Sequence, residues 1–303
     1  MDASRDSRRA RLHVTNVGLM EHLPPRLPLD QIIADYDGVL IDAYGVLVDR
    51  HRALPGAIEL IDLLDRHGRP WLVVTNSASR LPGALAAELS ALGVPVPAER
   101  VLTSGELLAP HLAAAGLTGA RGMLLGPAQS WDYLDRAGLE RVAPAADVDA
   151  EVIVIADQKG VRFPDDLDHC LSLMIRRLEA DQPLALVLCN PDLLYPVADG
   201  RYGLTAGALA ALMEAVLRER WPGRGLGFVR LGKPNAPIYA EACRRLGASR
   251  PLMIGDQLGT DILGAVRYGI DSLLVGSGLA PGGPAASWPV RPTWYLPSLA
   301  GLK

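Results

Sequence analysis

The sequence predicts an α/β protein, with a parallel sheet covered by helices on both faces. Three observations predict it. Short apolar runs alternate along the chain with segments whose apolar residues recur at helical spacing. The runs are apolar throughout rather than alternating with polar residues, as strands buried on both faces require. Glycines such as Gly68 and Gly93 stand where the helical spacing stops.

Taken in order, the segment 29–34 has helix-like spacing behind Pro28, and Gly38–Ile41 reads as a buried strand. Residues 55–67 carry apolar positions at Ile58, Ile61, Leu63 and Leu64, one face of a helix that Gly68 ends. A strand follows at 71–74, a helix at 82–92, a short strand from Val101 and a helix at 105–115. The rhythm then restarts, with strands at 122–125, 152–155 and 184–188 and helices at 130–137 and 165–180. A helix over 204–220 leads to strands at 228–231, 252–254 and 272–275, with helices at 237–246 and 260–268 between them. The Gly/Pro/Ala-rich stretch 276–286 reads as a loop, and residues 1–28 as a tail ending in proline breakers.

Composition excludes several classes. The 303 residues are 49% apolar and 21% charged, which is globular rather than disordered. The length suggests about two domains. A net charge of −4 argues against a basic nucleic-acid face, and no apolar run approaches the ~18 residues of a membrane span. Cys170, Cys189 and Cys243 form no paired motif, and the N-terminus has no apolar run behind its basic residues. A reducing, cytoplasmic setting is therefore expected.

In an open parallel sheet, ligands bind beyond the carboxyl ends of the strands. Asp42-Ala43-Tyr44-Gly45 follows the first strand, Thr75-Asn76-Ser77 ends the second, Gly232-Lys233-Pro234 follows the strand at 228–231, and Gly255-Asp256 with Asp261 follows the strand at 252–254. One carboxylate can act as nucleophile and two can hold Mg²⁺. Hydroxyls and a lysine can neutralise phosphoryl oxygens. Each piece alone reads equally as a cap or a turn; all four, in this order, make a phosphoryl-transfer set.

With these motifs the sequence resembles the haloacid dehalogenase (HAD) superfamily over roughly residues 29–303, and within it the class IIA, NagD-like branch of small-molecule phosphatases. Leu54-Pro55-Gly56-Ala57, Asn190-Pro191-Asp192 and Arg291-Pro292-Thr293-Trp294 are also similar to that branch. Two segments compete for its first motif. Asp35-Tyr36-Asp37-Gly38-Val39 spells the consensus, but Pro55 stands the branch's thirteen residues after Asp42, and Asp42 has the strand ahead of it. Spacing assigns the motif to Asp42 and leaves Asp35 and Asp37 to the turn before the strand.

The resemblance implies a Rossmann-like, doubly wound core over 29–118 and 204–303, with an α/β cap inserted at 119–203. It implies Mg²⁺ held by Asp42, Asp256 and the Tyr44 carbonyl, supported by Asp261. Asp42 attacks the phosphorus of a small phosphorylated substrate, and Thr75, Asn76, Ser77 and Lys233 bind the phosphoryl group. Asn190 and Asp192, with Asp157 and Lys159 as further candidates, face the cleft from the cap. A homodimer is left open. Tyr44 departs from the family pattern, which has an acid/base aspartate at that place; a phenol with an ordinary pKa of about 10 is a poor base at neutral pH. Two alternatives follow from that departure. One is 2-haloacid dehalogenase-like chemistry at the same Asp42, since Asp-Ala-Tyr-Gly is similar to that group's first motif. The other is a catalytically impaired, regulatory binder of a phosphorylated ligand.

Overall fold

The computed structural model describes residues 27–197, 200–278 and 290–301. The tail expected over 1–28 lies, but for its last two residues, outside the described residues, as does most of the loop expected over 276–286. Among the described residues no helix is long and apolar enough to cross a membrane.

The chain forms two parallel sheets. The first has six strands: β1 (Gly38–Ile41), β2 (Trp71–Thr75), β3 (Val101–Thr103), and, from the far end of the chain, β11 (Pro251–Gly255), β12 (Asp271–Val275) and β13 (Trp294–Leu296). Their order is β13-β12-β11-β1-β2-β3. The chain therefore starts in the middle and winds outward both ways, which is the doubly wound arrangement expected. The second sheet has the order β10-β7-β6-β4-β5, from β4 (Arg121–Leu125), β5 (Glu140–Val142), β6 (Val152–Ile155), β7 (Ala185–Leu188) and β10 (Val229–Arg230). An antiparallel hairpin of β8 (Leu194–Pro196) and β9 (Tyr202–Leu204) stands apart from both.

Alternation along the strands sorts the core into layers. Val39, Ile41 and Val73 face one way in the first sheet. They pack with Ile32 of α1 (Leu29–Ala34), Leu60 and Leu64 of α2 (Ala57–Arg66), and Leu85 and Leu89 of α3 (Pro82–Ala91). Leu40, Leu72 and Val74 face the other way. They meet Leu108 and Leu112 of α4 (Leu108–Ala114) and Ile238 and Ala242 of α8 (Ala236–Leu246). That same cluster runs on into Leu124, Val152, Val154 and Val187 of the second sheet and Leu134 of α5 (Trp131–Arg136), so one continuous apolar layer joins the sheets. The far face of the second sheet is covered by α6 (Asp165–Glu179) and α7 (Ala206–Arg220), through Cys170, Leu173, Met213 and Leu217.

Two expectations are corrected here. The helix expected over 204–220 and the strand expected over 228–231 belong, on the sequence reading, to the first sheet's layer, after a return at 204. Instead β10 pairs with β7, with Val229 against Val187, and α7 covers the second sheet, so the chain rejoins the first sheet only after Arg230. The helix expected over 260–268 is entered through a π-helical turn, Leu258–Ile262, and only Leu263–Tyr268 (α9) is α-helical.

The rival motif at 35–37 is structural. Asp37 accepts the backbone N–H groups of Ser249 and Arg250 at 2.8 Å each, tying the entry of β1 to the entry of β11. Tyr36 donates its hydroxyl proton to Asp271 (2.9 Å) and accepts from the Trp294 indole (2.8 Å). These residues lie at the amino end of β1, away from the end where ligands bind in such sheets.

Candidate active site

Register sets the centre of the site. Ile41 lies level with Ile254 on one side and Val73 on the other, and the Asp42 N–H donates to Ile254 O (2.9 Å). Asp42 and Asp256 thus directly follow, and Thr75 ends, three adjacent central strands. Asp261 returns to this row on the π-helical turn, where its carboxylate accepts the Gln257 N–H (3.1 Å). Asp42, Asp256 and Asp261 each offer an oxygen within 4.8 Å of the others, and all three are buried. Gly45, with φ of +92°, permits this crowding: a Cβ there would fall 2.3 Å from the Asp256 carboxylate.

Lys233 supplies the opposite charge. Its Nζ lies 2.7 Å from Asp42 Oδ1 and 2.7 Å from Asp261 Oδ1, with only 2% of the residue exposed. Burial works to lower the lysine's pKa, but the Asp261 and Asp42 charges outweigh it and hold the ammonium above its usual range. Burial pushes the Asp261 carboxyl up to about 6, with Lys233 pulling it down and Asp42 pushing it further up. Three buried carboxylates thus crowd around the one ammonium. Hard oxygen donors at this spacing fit a divalent cation such as Mg²⁺ or Ca²⁺.

Lys233 arrives from the second sheet, not from a strand of the first as expected. Three residues after β10 its backbone is caught by Asn76: Lys233 N–H donates to Asn76 Oδ1 (2.7 Å), and Asn76 Nδ2 donates to Lys233 O (2.8 Å) and to Asp192 Oδ1 (2.8 Å). Ser104 Oγ fixes the Asn76 carbonyl in turn (2.8 Å). Gly232 is required by this closeness, since a Cβ there would sit 2.4 Å from Asn76 Oδ1. The Asn76 side chain, expected to bind phosphate, is therefore spent as a strut. Asn190 and Asp192, expected to face substrate, belong to the same joint: Asn190 Oδ1 accepts the Asp192 N–H (3.0 Å).

Desolvation pushes the Asp192 carboxyl up to about 6, against the pull of the Asn76 hydrogen bond and the Lys233 charge. A carboxyl raised above its ordinary 3.8 binds its proton more tightly in the folded chain. Its contribution to stability is full below that ordinary value and is lost as pH rises through about 6. Asp192→Asn is expected to remove about 2 kcal/mol of this pH-dependent stability between pH 4 and 7, read by denaturant unfolding of the metal-free protein across that range. A slope identical to that of the unmodified chain would contradict the assignment.

Thr75 Oγ1 accepts the Ser77 N–H (3.3 Å), which leaves the Thr75 hydroxyl proton to donate. Ser77 Oγ lies 3.4 Å from Ser79 Oγ. Asp157, at the end of β6, accepts the Lys159 N–H (2.9 Å), and burial raises its carboxyl. Tyr44 turns its hydroxyl to Glu88 Oε1 of α3 (2.8 Å), and the other oxygen of Glu88 is paired with Arg80. Burial raises the phenol, and the Arg80 charge opposes it. Neither Glu88 nor Arg80 figured among the expected site residues. The available signal was that Glu88 is the sole ionisable residue in a helix otherwise built of alanine, leucine and small residues.

A haloacid dehalogenase-like hydrolase family model matches residues 35–140, and a HAD-hydrolase-like model matches 230–302. The two matches hold all four motifs that meet around Asp42 and flank most of the second sheet. The chain belongs to the haloacid dehalogenase-like hydrolases. Within them this hydrolase is of the class IIA, NagD-like kind. It is 26% identical to a dihydroxyacetone phosphatase of Corynebacterium glutamicum over 87% of its own length and 89% of the relative's. It superimposes on NagD from Escherichia coli K-12 with a TM-score of 0.72 and 25% identity, covering 88% of this hydrolase and 98% of that chain. A glycerol phosphate phosphatase from Mycobacterium tuberculosis, solved in complex with calcium, matches at 26% identity and a TM-score of 0.71, over 90% of this hydrolase and 75% of that chain.

Proposed function

We propose that this hydrolase is a Mg²⁺-dependent phosphatase of small phosphomonoesters that works through an aspartyl-phosphate on Asp42. The observation that carries the reading is the buried cluster of Asp42, Asp256 and Asp261 closed by Lys233. Asp42 and Asp256, with the Tyr44 carbonyl, would hold the ion, and Asp261 would support it. Mg²⁺ favours a site of one or two carboxylates completed by substrate phosphate, and its charge there neutralises the phosphoryl oxygens. The Lys233 ammonium, the Thr75 hydroxyl and Ser77 bind those oxygens from the other side. Asp42 then forms a bond to phosphorus as the ester P–O bond breaks, and water later releases phosphate from Asp42.

The second sheet acts as a cap in this reading. It reaches the core loop after β1 through the hairpin, where Arg50 lies 4.6 Å from the centroid of the Tyr195 ring. Displacement of halide from a 2-haloacid, the rival at the same aspartate, needs no cation and gives the Asp256–Asp261 pair no task. In the presence of Mg²⁺, the purified protein is expected to release phosphate from p-nitrophenyl phosphate, and a chelator should stop the release. Absence of phosphate from every ester in a broad panel, with halide released from a 2-haloacid without metal, would overturn the reading.

A further inference from the structure

The carboxylates and the lysine around Asp42 are buried, so the part of a substrate beyond its phosphoryl group has to extend toward the mouth between the two sheets. Two segments meet across that mouth. On the core side, Val48 N–H donates to Ala43 O (3.0 Å), which brings the chain back beside Asp42. Arg50 stands two residues further on, a reach of at most about 7 Å. It lies in a turn that Asp49 closes by accepting the N–H groups of His51 (2.7 Å) and Arg52 (2.9 Å). On the other side, Tyr195 stands three residues after Asp192, which Asn76 holds at 2.8 Å. The Tyr195 ring packs on Gly203 of the facing strand, where a Cβ would fall 2.6 Å from it. The Arg50 guanidinium lies 4.6 Å from the centroid of that ring. Such a contact steadies the guanidinium and uses none of its N–H groups. Among the described residues those groups have no carboxylate and no hydrogen-bond acceptor, and Arg50 is exposed. The adjacent Asp49 is turned to Arg52 instead.

We propose that Arg50 is a specificity-determining residue that binds a carboxylate at the far end of the substrate, so that the site is matched to phosphorylated hydroxy acids. This deepens the phosphatase reading and rests on it. The guanidinium presents its donors in a fixed planar fork that fits the two oxygens of a carboxylate. One guanidinium balances the single charge of a carboxylate, whereas a second phosphate would bring nearly two. The three carboxylates crowded at the floor of the site would repel a second anion drawn inward. Arg50 offers it a place at the mouth, with the length of the substrate between the two charges. Arg50 forms no covalent bond and moves no proton; it holds the end of the ester that does not react, and the bonds made and broken at phosphorus stay those already described.

The test is kcat/KM with Mg²⁺ for ω-phosphorylated hydroxy acids of graded chain length and for their neutral amides, in the unmodified chain, Arg50→Gln and Arg50→Glu. At the length that fits, the unmodified chain is expected to prefer the acid to its amide at least about tenfold, as a charge-assisted hydrogen bond provides. The difference should lie mainly in KM. Arg50→Gln should bring the acid-to-amide ratio to about one, and Arg50→Glu, which reverses the charge, below one. Arg50 is exposed, so neither change opens a cavity in the core. A merely structural role, as the cation that seats the hairpin through Tyr195, would lower both esters together and leave the ratio still. A ratio of about one at every length in the unmodified chain, or a ratio unmoved in the two variants, overturns this inference alone, p-nitrophenyl phosphate still being hydrolysed. Failure on every ester, p-nitrophenyl phosphate included, overturns it together with the phosphatase reading.

Discussion

Asp42→Asn is expected to lower phosphate release from an aryl phosphate by about 10⁴-fold or more, while the protein stays folded. The two side chains have nearly the same shape, so the packing of Asp42 at 6% exposure is kept. The amide cannot form the covalent intermediate, and loss of a nucleophile costs rate on this scale. Stability should hold or rise in the absence of metal. Asp42 is one of three carboxylates crowded within 4.8 Å, and its charge helps to raise the Asp261 carboxyl. Removing that charge relieves repulsion, and Lys233 keeps Asp261 as a partner at 2.7 Å. Phosphate release and denaturant unfolding on the same sample check both halves. A variant that retains a tenth of the activity would mean that another group attacks.

The second large effect is at Lys233. Lys233→Met keeps the length of the side chain and removes the ammonium that both Asp42 and Asp261 hold at 2.7 Å. Two buried carboxylates then lose their counter-charge, and breaking a buried pair from one side costs about 3–5 kcal/mol. Activity should fall by at least about 10²-fold, because a charge aimed at the phosphoryl oxygens is lost as well. The sign of the pH dependence follows from Asp261. Its carboxyl is raised already, and without Lys233 only the Gln257 hydrogen bond pulls it down, so the variant should lose most stability above pH 6 and recover it as that carboxyl protonates. Unfolding at pH 5 and pH 8 reads this directly. A Met variant as stable as the unmodified chain at pH 8 would show that the ion pair contributes nothing.

Much of this site is legible in the sequence because buried parallel strands announce themselves as short apolar runs, and the residue after each run stands at the ligand-binding end. Asp42, Thr75 and Asp256 follow from that rule, and Asp261 from its spacing to Asp256. Spacing also separates Asp42 from the consensus-like Asp35 and Asp37, and Asp37 indeed ties together strand entries at the opposite end of β1.

What escapes the sequence depends on long-range partners. β10 is two residues long and only partly buried, so nothing in its pattern tells which sheet it joins. The hairpin of β8 and β9 exposes both Leu194 and Leu204, so it lacks the buried face that would mark it as a strand pair. Asn76 reads as a phosphate ligand until its amide is seen to clasp Lys233 and Asp192, partners 157 and 116 positions away. Tyr44 gives no sign in the sequence of the partner its hydroxyl donates to, Glu88, 44 positions on.

The nucleophile is the centre of the account, and rapid mixing of the Mg²⁺-loaded protein with an aryl phosphate, acid quenching and peptide mass analysis tests it most directly. The account predicts a phosphoryl group on the peptide that carries Asp42, formed within the first turnover and missing from Asp42→Asn. A phosphoryl group on another residue, or phosphate released at the full rate with no covalent adduct at any time, would contradict it.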